Sequence, residues 1–426
     1  MKQPLYLLLG AALGWLLIGA LVDVLVDAKL LWPAFLDGEA WLTYGRLRPA
    51  ADNAMLFGWA SQAGLAVALW LLARLGGSEP RWPGLMMSSV VLWNAGVLVG
   101  VGGILVGRQG PTPGLEFPGN AAVILTLAFV LFAVCALFLL LDRTNRPLFV
   151  SQWYLLAALL CFPWLYLTGN TLLVWQPIPG SAQLVIAGWY QASLFWLWLV
   201  PLGLAILYYV TPTVTRRSIH AYPSSVFAFR ALVVLGGWTG LAPFLGGPIP
   251  AWLVSASLAA GMVMLIPITI VEVNLLGTLR AALWSKSPVL SFVFFSLVCL
   301  GIATLHGAAT AFTAPLASFT GYAASVETLR LFAFASMAIF AAIYLILSLA
   351  SGREVSPSRV RLHYVLSAGS ITLMFLSEAL SFGEVGSVFL RYLHFLSGLG
   401  FLAACVLFAW IFLTHFLAPR PPAVQP

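Results

Sequence analysis

Apolar residues in this chain come in long, nearly unbroken runs. A bilayer core about 30 Å thick is crossed by about 20 apolar residues of helix. Twelve runs of that order lie near residues 4–28, 52–73, 84–107, 119–141, 150–170, 183–212, 224–246, 251–275, 287–313, 328–350, 362–383 and 388–418. Short polar or Pro/Gly-rich stretches separate them, among them Gly76-Gly77-Ser78-Glu79-Pro80, Gly110-Pro111-Thr112-Pro113, Pro177–Gly180, Gly246–Pro250 and Ser351–Ser358. None is long enough for a soluble domain. The pattern predicts an all-α integral membrane protein, residues 1–426 forming one polytopic domain. Helices span lipid because they close their backbone hydrogen bonds within the segment.

Composition narrows the class further. The chain is 62% hydrophobic and 8% charged, with a mean hydropathy of +1.00, against roughly 25% charged in soluble proteins. This excludes a soluble enzyme, a disordered chain and a nucleic-acid partner. The formal charge of +7 then reads as a topology signal. With the N-terminus in the cytoplasm, thirteen Lys or Arg fall on that side (including Arg74, Arg143, Arg146, Lys286 and Arg420). Six fall on the other: Lys29, Arg46, Arg48, Arg108, Arg330 and Arg391. The bias predicts twelve helices with both termini cytoplasmic. The first run is too long for the h-region of a cleavable signal. The four cysteines, Cys135, Cys161, Cys299 and Cys405, lie singly in apolar runs and form no CxxC pair. They read as small apolar side chains.

Three ionisable residues are placed at membrane depth: Arg230, Glu272 and Glu378. Such groups face a bundle interior or a wet cavity, so they mark either a proton or ion path or a structural pair. Small residues such as Gly10 with Gly14, Gly236-Gly237 with Gly240, and Gly398 with Gly400 allow close helix approach. Trp32, Trp41, Trp82, Trp153 and Trp252 sit at span ends as an aromatic belt, whereas Trp196 and Trp198 are mid-span.

Several strings, in order, resemble a known family. They are Tyr44-Gly45-Arg46-Leu47-Arg48-Pro49 with Asn53-Ala54 and Phe57-Gly58; Phe149-Val150-Ser151-Gln152-Trp153-Tyr154-Leu155; and Gly188-Trp189-Tyr190 with Tyr208-Tyr209-Val210-Thr211-Pro212. Trp238 with Gly240, Pro250 with Trp252, Asn274–Leu279, Thr304 with Gly307, Ser318 with Tyr322, and His363 continue the series. From about residue 40 to 400 the chain resembles subunit I of the haem–copper oxidase superfamily, above all the cbb-type cytochrome c oxidases and nitric oxide reductases. The resemblance implies a subunit I-like helical bundle. It also implies a low-spin haem held by histidines from helices two and ten, a high-spin haem on a second helix-ten histidine, and copper on three histidines from helices six and seven.

Carried over position by position, those ligands are absent. The haem positions hold Ala51, Leu329 and Leu331, and the copper positions hold Ala192, Ala242 and Pro243. Haem iron needs an axial His, Cys, Met or Tyr, and such a copper site needs imidazole nitrogens. Tyr222 stands where the family places a tyrosine tied to a copper ligand, but its partner position is Ala192, so a structural role is expected. Of the five histidines, His220, His363 and His415 fall at interfaces, while His306 and His394 are deeper and could form a relocated haem pair.

The expected function is therefore a haem-free, non-catalytic homologue of subunit I. It would serve as a structural or accessory subunit of a respiratory complex in the prokaryotic inner membrane. Lipid and other membrane subunits, such as a cytochrome- or cupredoxin-type subunit, would be its partners, with no cofactor and no metal. Two alternatives stand beside it. One is an active oxidase or nitric oxide reductase subunit with haem b and copper at relocated ligands. The other is a proton, ion or solute transporter using Arg230, Glu272 and Glu378. The mid-span aromatics are expected to fill space that porphyrin occupies in relatives.

Overall fold

A computed structural model describes residues 2–79, 81–145, 147–280, 287–317, 322–381 and 388–417. Arg146, Lys286, Ser318 and Arg420, used above, lie outside the described residues. Eleven helices are long and apolar enough to cross a membrane: α1 (Gln3–Leu31), α2 (Tyr44–Gly76), α3 (Pro83–Leu105), α4 (Gly119–Leu141), α5 (Val150–Trp175), α6 (Ser181–Thr215), α8 (Ala251–Leu279), α9 (Val289–Ala309), α10 (Ala324–Ser351), α11 (Pro357–Ala379) and α12 (Val388–Phe416). A shorter apolar helix, α7 (Tyr222–Gly236), lies between α6 and α8.

The expected seventh span, 224–246, is thus cut at Gly236. Its sequence explains the stop. Gly236, Gly237, Gly240 and Pro243 follow within eight residues, Gly240 adopts a φ of +107°, and Ala242–Phe244 closes a single 3₁₀ turn. Fifteen residues of helix rise about 22 Å, short of the bilayer core. The chain nevertheless crosses here. Asp27, near the end of α1, touches His394 at the start of α12, so those two points share one side of the membrane. An even number of crossings must separate them. The helices α2 to α6 and α8 to α11 supply nine. The tenth is α7 together with the irregular segment after it, where the buried Leu241 N donates to Ser257 Oγ at 2.9 Å. Non-helical backbone at membrane depth is tolerated only where protein buries it. Twelve crossings and the two cytoplasmic termini read from the basic residues are mutually consistent.

The helices divide into an inner three and an outer ring. The most apolar window is 89% buried in α2, 94% in α6 and 89% in α10, against 39–50% in the other long spans. These inner helices also depart from α-geometry. Each contains a π-helical stretch: Ala54–Ser61 in α2, Leu194–Leu199 in α6 and Thr328–Ser336 in α10; a further one, Asn170–Trp175, ends α5. Such segments are rare and concentrate at functional sites. Around them α1 packs on α2 and α12, α3 on α4, and α11 on α12. Exposed apolar side chains such as Leu98, Leu160 and Trp252 form the lipid-facing surface.

Candidate functional site: the inner helices and the outer polar layer

The six positions read from the resemblance lie at or beside the π-helical segments of the inner helices, or in the turn after α7. Ala51 is buried three residues before one such segment; Ala192 is buried two residues before another; Leu329 and Leu331 lie inside the third. None of these side chains carries an atom that can ligate iron or copper. Ala242 and Pro243 lie in the turn after α7, and Pro243 is exposed.

The surroundings of these positions are close-packed. A Cβ on Gly240 would stand 2.6 Å from the Cβ of Ala192 and would overlap the carbonyl oxygen of Gly188. The backbone after α7 therefore rests directly on α6 where an imidazole from residue 192 would have to extend. The three inner helices are also tied in a closed triangle. Trp59 Nε1 of α2 donates to Ser336 Oγ of α10 at 2.9 Å. Trp198 Nε1 of α6 donates to Ser61 Oγ of α2 at 3.0 Å. Between α6 and α10, the Arg330 guanidinium lies 4.6 Å from the Phe195 ring centroid, and Phe334 occupies the space a side chain on Gly203 would need. Trp198 packs further on Phe162 of α5, ring centroids 4.3 Å apart and tilted by 35°. At the six positions assigned by the resemblance, the side chains present do not supply a haem or copper ligand set.

Tyr222 has a structural partner. Its hydroxyl accepts from the amide of Val150 at 3.0 Å, one of the otherwise unpaired N–H groups at the start of α5. His363 is buried among Phe292, Phe340, Tyr344 and Phe408, with Nδ1 2.9 Å from the Tyr344 hydroxyl. It is interior, not interfacial as the sequence suggested, because α11 begins at Pro357 and its second turn already faces the bundle.

The three residues proposed for a polar path do not meet among the described residues. Arg230 is exposed on α7, and the Glu272 carboxylate lies half-buried against Gly301 of α9. Glu378 belongs instead to a polar layer at the outer end of the bundle. There Thr328 Oγ1 donates to Glu378 Oε2 at 2.7 Å, and His394 Nε2 lies 3.4 Å from Asp27 Oδ1 and 4.0 Å from Glu378 Oε1. Ser377 Oγ is 2.9 Å from His394 Nδ1. Arg48 bridges Asp23 at 3.3 Å and Asp52 at 3.1 Å. Both ring nitrogens of His394 thus face α1 and α11 side chains. His306 is half-buried on α9 and is not among those partners.

Sequence reasoning missed most of this layer. Asp23 and Asp27 are buried inside α1, and their four-residue spacing within an apolar run puts them on one helix face. Arg46 and Arg48, read as loop residues, fall in the first turns of α2. Outside the spans, Glu116 pins the α3–α4 connection to α2: Asn53 Nδ2 donates to its Oε2 at 2.9 Å. Burial raises the Glu116 carboxyl to about 7, with the Asn53 hydrogen bond pulling the other way.

Comparison with known proteins agrees with this architecture. The family model for cytochrome c and quinol oxidase polypeptide I matches residues 3–416. The chain is similar to the bacteroid cytochrome c oxidase subunit 1 homologue of Bradyrhizobium diazoefficiens, 28% identical over 313 residues, covering 70% of this chain and 56% of that one. It is also similar to the cbb3-type cytochrome c oxidase subunit CcoN1 of Stutzerimonas stutzeri, 24% identical over 302 residues, covering 69% and 64%. The matches thus span less than two thirds of these relatives' length. A haem–copper terminal oxidase dimer solved by cryo-EM superposes with a TM-score of 0.78 at 10% identity, covering 100% of this chain and 86% of that one; this likeness shows the fold. With its apolar helices and bacterial relatives, the chain is an integral protein of the prokaryotic inner membrane.

Proposed function

Because the chain belongs to the cytochrome c and quinol oxidase polypeptide I family, we propose that it is a haem-free, non-catalytic subunit I homologue that acts as an accessory subunit of a respiratory membrane complex. One observation carries the reading. All six positions that the resemblance assigns to the family's metals carry Ala, Leu or Pro, and the inner helices that bear four of them pack closely through Trp59, Trp198 and Phe334, with the backbone at Gly240 resting on α6. Fold alone does not carry function, and the redox chemistry of this fold resides in its metals. A scaffold needs only the bundle and its lipid-facing surface.

The alternatives have weaker support. A relocated haem on His394 would have to displace Asp27 and Ser377 from the ring nitrogens. An ion path through Arg230, Glu272 and Glu378 would have to join three groups that lie apart. The deciding experiment is an absorption spectrum with iron and copper analysis on the full-length protein, purified in mild detergent with its associated proteins. The expected result is no stoichiometric Soret band, no copper, and co-purification with other membrane subunits. One haem per chain would overturn the haem-free reading. A metal-free protein that migrates alone would overturn the accessory role.

A further inference from the structure

At the cytoplasmic end of the bundle, opposite the carboxylate-rich outer layer, lies a cavity of about 210 Å³. The α10–α11 connection and the last turns of α12 enclose it, and Arg353, Arg359, Thr414 and His415 are in its wall. Arg353 is held in place: its Nη2 donates to the carbonyl of His415 at 3.5 Å, and Ser351 Oγ bonds His415 Nε2 at 2.8 Å. Its Nε is buried and has no hydrogen-bond partner. The Arg359 guanidinium carbon lies over the Trp410 ring, 4.5 Å from its centroid. Glu354 also lines the cavity, yet it is exposed and, among the described residues, neither arginine is paired with a carboxylate. Two guanidinium groups that outnumber the one carboxylate in the wall and form no ion pair with it, beside a threonine hydroxyl, make a site for an oxyanion.

The neighbourhood indicates where that anion comes from. Trp410 and Leu413, which flank the cavity on α12, and Leu362 on α11 are exposed on the lipid-facing surface. An occupant with a phosphate in the cavity and hydrocarbon along these side chains satisfies both surfaces. We infer that this cavity binds the phosphate headgroup of an anionic phospholipid. Basic pockets between helices at the cytoplasmic face suit such headgroups. The guanidinium fork supplies paired donors to phosphate oxygens, and the tryptophan under Arg359 holds that fork at the interface.

The test is native mass spectrometry of the full-length protein with phosphatidylglycerol or phosphatidylcholine added, comparing wild type with Arg359→Gln, Arg359→Lys and Arg353→Gln/Arg359→Gln. Gel filtration checks that each variant remains monodisperse, and Arg359→Gln leaves the Arg353–His415 contact untouched. Wild type is expected to retain phosphatidylglycerol in preference to phosphatidylcholine. The double variant is expected to lose that retention by about twenty-fivefold, from about fivefold per arginine, with Arg359→Lys keeping part of it. Equal retention of the two lipids, or an unchanged double variant, overturns the assignment. Inorganic phosphate alone, at millimolar concentration, is the remaining arm. If it raises thermal stability in wild type and phosphatidylglycerol does not, the anion is free phosphate and the lipid assignment fails.

Discussion

Substituting Gly240 by alanine tests whether the backbone after α7 is seated on α6. Gly240 adopts a φ of +107°, and its added Cβ would overlap the Gly188 carbonyl and stand 2.6 Å from the Ala192 Cβ. Neither neighbour is the tip of a flexible side chain, so the backbone itself must move. A non-glycine residue in that conformation costs about 1–3 kcal/mol, and forcing extra volume into a packed interior costs about 1–3 kcal/mol more. Gly240→Ala is therefore expected to destabilise the protein by about 2–6 kcal/mol. Gly261→Ala is the internal control. It lies within the first half of α8, where nothing approaches an added Cβ within 4 Å, and alanine gains up to about 1 kcal/mol of helix propensity there. Thermal unfolding in detergent, followed by the monodisperse fraction in gel filtration, should rank Gly261→Ala at or above wild type and Gly240→Ala well below. Equal stabilities for the two variants would refute the reasoning. The region beside Ala192 would then be loose enough to accept a larger side chain, and the argument that the copper position is closed would fall with it.

Two further outcomes follow from single contacts. Glu116 has a folded-state pKa raised from 4.5 to about 7 by burial, so folding disfavours its ionised form. The penalty is absent below pH 4.5, grows as pH rises and is complete above about pH 7, where it amounts to about 3 kcal/mol. Glu116→Gln should flatten the stability profile between pH 5 and 8 and raise stability at pH 8; an unchanged pH slope in thermal unfolding would exclude this role. Ser336→Ala removes the acceptor of the buried Trp59 indole and should cost about 1–3 kcal/mol, whereas an unchanged unfolding midpoint would mean that Trp59 is not tied to α10 through this bond.

The membrane class and the approximate helix positions could be read from the sequence because lipid imposes a length on every apolar run. The limits of that signal are equally physical. Run length alone did not locate the end of α7, where glycine conformation and contact with Gly188 decide. Nor did it separate inner from outer helices, since α4 is more hydrophobic than α2 yet faces lipid. Asp23 and Asp27 escaped notice because a long apolar run absorbs two carboxylates without losing its hydropathy. Their partners, Arg48 and His394, are remote in sequence. Glu378, an ionisable residue within an apolar run, stood out in the sequence; the structure pairs it with Thr328. Its partner could not be foreseen, because pairing depends on which helix ends come together.

The inner helices are joined to one another by direct side-chain and backbone contacts. Between helices in lipid there is no hydrophobic driving force, so association rests on packing and interhelical hydrogen bonds. In the haem-free reading proposed above, direct contacts would serve where the resemblance places metals between helices two, six, seven and ten. Trp59–Ser336 joins α2 to α10, Trp198–Ser61 joins α6 to α2, Phe334 against Gly203 joins α10 to α6, and Gly240 on Gly188 seats the end of α7 on α6. Each link is either an indole donating to a serine hydroxyl or a bulky ring or backbone fitted against glycine. The indole N–H groups and serine hydroxyls of these links are paired with one another, as a low-dielectric interior demands. The π-helical turns place the same side chains: Trp59, Trp198 and Phe334, and also Ser61 and Ser336, lie within those turns. In this chain the local distortion of the inner helices serves to present aromatic rings and their acceptors to one another.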